Sequence, residues 1–472
     1  MQDYEEYDAL GLAALVREGE VTPRALLDAA LERCEKRNPV VNAVVIPMLE
    51  RARAALAAGL PAGPFRGVPF LLKDLHLSVP GVRTTYGARL FADHVPAVES
   101  ELAARYRRAG LVSFGKTHSP ELGLTTTSES RLFGQTRNPW HLERTAGGSS
   151  GGAAAAVAAG IVPAAHATDG GGSIRVPASC CGLFGLKPTR GRTPMGPEVG
   201  EGWSGMSAQH VVSRSVRDSA ALLDVTQGAD AGAPYAAQPP GRPFVAEIGA
   251  EPGRLRIALQ TTTWNAAPTH PTCVEAARDA AKLCESLGHH VEEARFEVAL
   301  EPFREATGTI IGASVRAMLE DRARALGREL APEDVEPGTW LVASGGAARG
   351  APAYVRALKT IHALGRQLAR FLERFDVLLT PTLATPPVAL GVLSLSNPNP
   401  AESLGTLFQT VGFTQLANAT GNPAMSVPLF WDAEGLPIGS HFVGRMDDEA
   451  TLFRLAAQLE EARPWFERRP RL

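Results

Sequence analysis

Between Gly147 and Ala178 the chain reads GGSSGGAAAAVAAGIVPAAHATDGGGSIRVPA, two serine-bearing glycine clusters bridged by an alanine-rich run. No other stretch restricts the fold as strongly. Glycine lets backbone approach backbone or a ligand closely. A serine that attacks a carbonyl needs that closeness, and it needs free N–H groups aimed at the developing charge. Gly170, Gly171 and Gly172 stand directly before Ser173 and offer both. Gly147, Gly148, Gly151 and Gly152 surround Ser149 and Ser150 and offer a second such place, Ser149 lying 24 residues before Ser173. Lys73 ends the apolar run GVPFLLK and is a candidate base, because burial disfavours the ammonium form. The plainer readings are a flexible Gly-Ser turn at Ser173 and a strand-end lysine that reaches solvent or pairs with Asp74.

Composition narrows the class. The 472 residues are 44% hydrophobic and 21% charged, enough for a large core. A net charge of −3 with interspersed signs points to neither nucleic acid nor an anionic membrane. The acidic start MQDYEEYDALG lacks an apolar leader segment, and no uncharged run has the length of a membrane span, so a cytoplasmic location is expected. Five cysteines, an odd number at spacings that fit no zinc pattern, read as reduced thiols. A metal site is not expected.

Helix and strand signals alternate, which predicts an α/β fold with a mostly parallel or mixed sheet. The first 60 residues read as helices, one starting at Thr22-Pro23 and another over Pro47–Leu60. Gly67–Lys73, Leu111–Phe114, Leu255–Leu259, Asp376–Thr380, Ala424–Pro428 and Pro437–Val443 read as strands. Ser100–Arg108, Pro271–Leu287, Leu404–Ala419 and Glu449–Glu461 read as helices, and Gly228–Gly253 and Ser344–Pro352 as surface connections.

Two familiar motifs are rejected on context. Gly110–Thr117 (GLVSFGKT) matches a phosphate loop, but a helical segment precedes it and the strand lies inside the spacer. A helix end at Gly110 followed by a short strand explains it better. Gly147–Gly151 matches the G-x-S-x-G nucleophile elbow, yet the polar segment before it is not a strand, and His166, His210 and His290 carry no signature. Asp169 and Arg175 flank the second cluster as solvated charges or as an ion pair that clamps the loop.

FRGVPFLLKD, GLVSFGKTHSPELG, the Gly147–Ala178 stretch, HATDGGGSIRVPASCCGLFGLKPTRGR, FDVLLTPTLATPP and NATGNPAMSVPL together resemble the amidase signature family of serine hydrolases. Within it, NPVVNAVVIP, RSVRDSAALLDV and ARPWFERRP are most similar to the 6-aminohexanoate cyclic dimer hydrolase group. The resemblance implies one α/β domain over 1–472 with a large mixed, twisted sheet surrounded by helices. Residues 65–225 form its catalytic core and 253–375 a more variable, substrate-facing lobe. It implies a Ser-cis-Ser-Lys triad of Ser173 as nucleophile, Ser149 as bridging serine and Lys73 as base, with the N–H row Gly170, Gly171, Gly172 and Ser173 as oxyanion hole. Asp169 and Arg175 support that loop. No cofactor is implied, the partner is a small-molecule amide, and a homodimer is an assembly open to the chain. The glycine after Asp169 departs from many members and makes room beside the first donor. The stretch PMGPEVGEGWSGMSAQHVV departs from the glutaminase subunit of tRNA amidotransferases.

Leu124, Thr125 and Thr126 are candidates for the pocket wall, completed by the lobe at Glu301–Arg356 and by Leu404–Asn418. Ile310, Ile311, Trp340 and Phe413 are its apolar candidates, with Ile311 foremost, and ordinary core packing is the plainer reading. No arginine placed for a second carboxylate is identifiable, so the acyl group reads as neutral or apolar, in an oligoamide, anilide or carbamate. The alternatives are an esterase using Ser149 and a histidine, and a non-catalytic amidase-like subunit.

Overall fold

The computed structural model describes residues 1–472. Its frame is one eleven-stranded mixed sheet surrounded by helices. In chain order the strands are β1 (Val44–Pro47), β2 (Pro69–Lys73), β3 (Val112–Thr117), β4 (Ala164–Asp169), β5 (Phe184–Lys187) and β6 (Ala208–Ser213), then β7 (Arg256–Leu259), β8 (His290–Glu293), β9 (Val377–Pro381), β10 (Ala424–Trp431) and β11 (Pro437–Gly444). In space they run β1-β3-β2-β4-β6-β5-β10-β11-β9-β7-β8.

β2 is parallel to both β3 and β4, with Leu71 opposite Ala165. The carboxyl ends of these three strands therefore lie at one edge of the sheet. That edge receives Lys73, the chain after Thr117 and the chain after Asp169. Every residue of β2 and β4 is buried, as strands covered on both faces require. The alanine-rich run becomes the buried helix Gly151–Ala158, whose small side chains let it lie deep in the larger N-terminal core.

Three readings of the sequence change. NPVVNAVVIP is not all helix: the helix from Pro23 ends at Val41, Asn42 turns left-handed at φ 51°, and β1 follows, pairing antiparallel with β3. The Leu404–Ala419 helix is two helices, Pro400–Thr410 and Gln415–Thr420. The Ser344–Pro352 connection shrinks, because Ser344–Ala347 closes the helix Pro337–Ala347 and Ala351 opens the next. At the rejected phosphate loop, Gly110 follows the helix Glu101–Arg108 at φ 89° and leads into β3.

All five cysteines are free thiols, four of them buried. No helix among the described residues is long and apolar enough to cross a membrane.

Candidate active site

Lys73 at the end of β2 is fully buried. It does not pair with Asp74, whose carboxylate instead faces Lys116 at 3.9 Å. The Lys73 Nζ lies 2.7 Å from Ser149 Oγ, 2.9 Å from Ser150 Oγ and 2.8 Å from Thr168 Oγ1. The Ser150 hydroxyl donates to the Thr168 carbonyl at 3.1 Å, so toward Lys73 it acts as an acceptor. Ser149 is left as a hydroxyl that can give its proton to the amine. Burial pushes the Lys73 pKa well below its ordinary value, against the opposing pull of the Asp169 charge. A neutral amine with a lone pair for one hydroxyl and two N–H groups for the others fits this ring of three.

Ser149 precedes the buried helix Gly151–Ala158, and the Gly148–Ser149 peptide is cis. Gly148 is required by closeness: a Cβ there would stand 2.6 Å from the Thr127 amide nitrogen. Ser173 ends the loop that leaves β4. Ser149 and Ser173 line one small cavity together with Leu75, His76 and Thr168.

The loop is held from below by a bidentate ion pair, Arg175 Nε to Asp169 Oδ2 and Arg175 Nη2 to Asp169 Oδ1, each 2.9 Å and fully buried. Arg175 also donates to the Thr414 carbonyl and to Asn418 Oδ1. Burial alone raises a carboxylate pKa. Here the Arg175 guanidinium and the Asn418 amide outweigh it and hold Asp169 below the usual range. Asp169 also accepts the backbone N–H of Gly172 at 2.7 Å and of Ile174 at 3.1 Å. The Gly172 N–H is thus committed to the clamp, which narrows the expected donor row to Gly170, Gly171 and Ser173.

The room beside Gly170 is filled. A Cβ there would fall 2.6 Å from Trp203 Cζ3, and Trp203 with Ser204 takes a left-handed turn at φ 51° and 53°. Sequence reasoning passed over Trp203, although it sits in the stretch that departs from the amidotransferase pattern.

A larger cavity of about 380 Å³ opens outward from Ser173. Leu124, Thr125, Thr126 and Ile311 line it, as do Gly170, Gly171 and Trp203. Most of the remaining wall comes from three helices, each giving residues at helical spacing: Arg304, Thr307, Gly308 and Ile311 from Leu300–Ala325; Leu341, Val342 and Gly345 from Pro337–Ala347; and Leu404, Leu407 and Phe408 from Pro400–Thr410. Ile310 lies about 100° from Ile311 around its helix and joins the core, as does Phe413. Trp340 packs beneath with its face toward Arg316. Two arginines, Arg304 and Arg349, stand on the cavity, contrary to the sequence expectation. They belong to a region without motifs, and only the packing of its helices brings them there.

The histidines of the elbow alternative lie elsewhere. His166 Nδ1 accepts the Lys73 backbone N–H, His210 meets Ser219, and His290 is exposed on β8. Among the described residues no group of three His, Cys, Asp or Glu is placed to hold a metal.

A family model described as Amidase matches residues 25–453. The 6-aminohexanoate-cyclic-dimer hydrolase of Paenarthrobacter ureafaciens is 38% identical, the match covering 98% of this chain and 96% of that one. A solved structure of 6-aminohexanoate cyclic dimer hydrolase complexed with substrate superposes with a TM-score of 0.94 at 36% identity, covering 99% of each chain. A bacterial aryl acylamidase superposes with a TM-score of 0.89 at 29% identity over 97% of this chain and 96% of that one.

Proposed function

The chain belongs to the amidase signature family of amide hydrolases, and from that premise we propose that it cleaves amide bonds through an acyl-enzyme on Ser173. The reading rests on one observation: a fully buried lysine amine 2.7 Å from a serine hydroxyl that shares a cavity with a second serine.

Neutral Lys73 takes the Ser149 proton, and Ser149 takes the Ser173 proton. The Ser173 Oγ bonds to the amide carbon, and the carbonyl oxygen becomes an oxyanion. N–H groups of Gly170, Gly171 and Ser173 meet that charge, each worth about 3–4 kcal/mol in comparable sites. The C–N bond breaks as Ser149 gives its proton to the leaving nitrogen, and Lys73 returns its proton to Ser149. Water attacks the acyl-enzyme by the same relay, releasing the acid and restoring Ser173. Asp169 and Arg175 do no chemistry; they fix the loop.

Leu124, Thr125, Thr126 and Ile311 form the wall around the substrate. Their largely apolar cavity suits an uncharged chain or ring next to the scissile bond, in an oligoamide, an anilide or a carbamate. The lobe at 253–375 supplies the variable part of that wall.

Ser173→Ala is expected to abolish turnover of a simple anilide, a loss of at least about 10⁴-fold. It is also expected to remove the mass adduct of a fluorophosphonate. Retained turnover in that variant overturns the assignment.

A further inference from the structure

We propose that the preferred substrate bears a carboxylate at the end remote from its scissile amide, held by Arg304 and Arg349 at the mouth of the cavity. The inference rests on the reading of Ser173 as nucleophile.

The side chains facing the cavity include these two guanidiniums and no acidic group. Arg349 makes no side-chain hydrogen bond or ion pair among the described residues. Its Nη1 stands 3.5 Å from where a Cβ of Gly308 would be, so the guanidinium lies against a bare patch of the cavity wall. Arg304, one turn from Gly308 on the same helix, stacks over the Phe408 ring at 4.7 Å, which fixes its plane. Its ion-pair partner among the described residues, Glu301, is 3.4 Å away and 77% exposed, a contact that water largely screens.

Arg304 stands on the Leu300–Ala325 helix, and Arg349 stands two residues after the Pro337–Ala347 helix, in the short connection before Ala351. The Leu300–Ala325 and Pro337–Ala347 helices touch backbone to backbone, since a Cβ on Gly346 would fall 2.1 Å from the Gly312 carbonyl carbon. Ile311 stands two turns along the helix from Arg304, and the lining they share includes the apolar Leu404 and Leu407. A guanidinium pair beyond an apolar stretch suits an anion at the end of an aliphatic or aromatic spacer, and planar N–H forks match a carboxylate.

The carboxylate could sit on either product. In an N-acyl ω-amino acid it leaves with the amine; in the half-anilide of a dicarboxylic acid it stays on the acyl group. Steady-state kinetics on one compound of each kind, each matched to an analogue with ethyl in place of the carboxylate, tests the site and separates the two sources. The carboxylate member of one pair is expected to be preferred by about tenfold in kcat/KM, chiefly through KM. The preference is expected to shrink as salt rises. It should collapse toward unity in the Arg304→Gln/Arg349→Gln double variant and survive in part in Arg349→Lys. Equal cleavage of both members of each pair, or a preference that persists in the double variant, overturns the arginine site and leaves the acyl-enzyme reading standing. Cleavage of none of the four compounds overturns both.

Discussion

Asp169 holds the loop that leads to Ser173. Its two carboxylate oxygens gather the Arg175 fork, the Asn418 amide and the N–H groups of Gly172 and Ile174, all out of water. Removing one partner of a buried ion pair strands the other. Asp169→Asn is therefore expected to cost about 3–5 kcal/mol in urea unfolding. It should also lower anilide turnover, because the Gly172 turn loosens. The sign with pH follows from the depressed pKa of Asp169. Its stabilisation is complete above the unfolded-chain value of about 3.9 and fades as pH falls through the lower folded value. The gap between native protein and variant should thus be constant from neutral pH down to about pH 5 and narrow only in stronger acid.

At the scale of elements, the cavity is a gap between helices. Its width is set where Gly312 and Gly346 meet, since no side chain separates those backbones. Gly346→Val forces the Leu300–Ala325 and Pro337–Ala347 helices apart. Overpacking of this kind costs about 1–3 kcal/mol. The variant is expected to melt lower and to show a raised KM with a smaller change in kcat, because Ser173 stands on a different element. An unchanged KM would place the substrate away from these helices. Trp203 is a second device of this scale. Its left-handed turn and the missing Cβ at Gly170 together press an indole against the Gly170–Ser173 loop.

Across the whole molecule, segments far apart in sequence share buried acids. Glu121, in the turn before the cavity wall at Leu122–Leu124, accepts the Glu336 backbone N–H at 2.8 Å from the opening of another helix. Burial, and then the nearby Glu336 carboxylate, push its pKa up to about 8. A raised carboxyl pKa means that the folded state binds its proton more tightly than the unfolded chain. The stabilisation is full below the unfolded value, about 4.3, and is lost as pH climbs through about 8. Glu121→Gln, which stays neutral and can still accept the Glu336 N–H, should match the native protein at low pH. At pH 9 it should be more stable by about 1–3 kcal/mol, read as melting temperature against pH. A difference that does not grow with pH would show that Glu121 ionises freely in the fold.

The glycine clusters, the lysine closing an apolar strand, and the succession of helices and strands are properties of neighbouring residues. The sequence alone therefore determined the α/β class, the sheet and the candidates Lys73, Ser149 and Ser173, and it excluded the phosphate loop. It misread the stretch after Val41 as helix, where a left-handed Asn42 ends the helix and the β-branched Val44, Val45 and Ile46 belong to the strand that pairs with β3. Only the tertiary structure decided that Thr168 completes the ring around Lys73, that the Gly172 N–H goes to Asp169, that Trp203 fills the space left by Gly170, and that Ile311 rather than Ile310 faces the cavity. It alone brought Arg304 and Arg349 to one opening. The physical reason is that a periodic pattern fixes which residues share a helix face, whereas what that face meets depends on contacts made hundreds of residues apart.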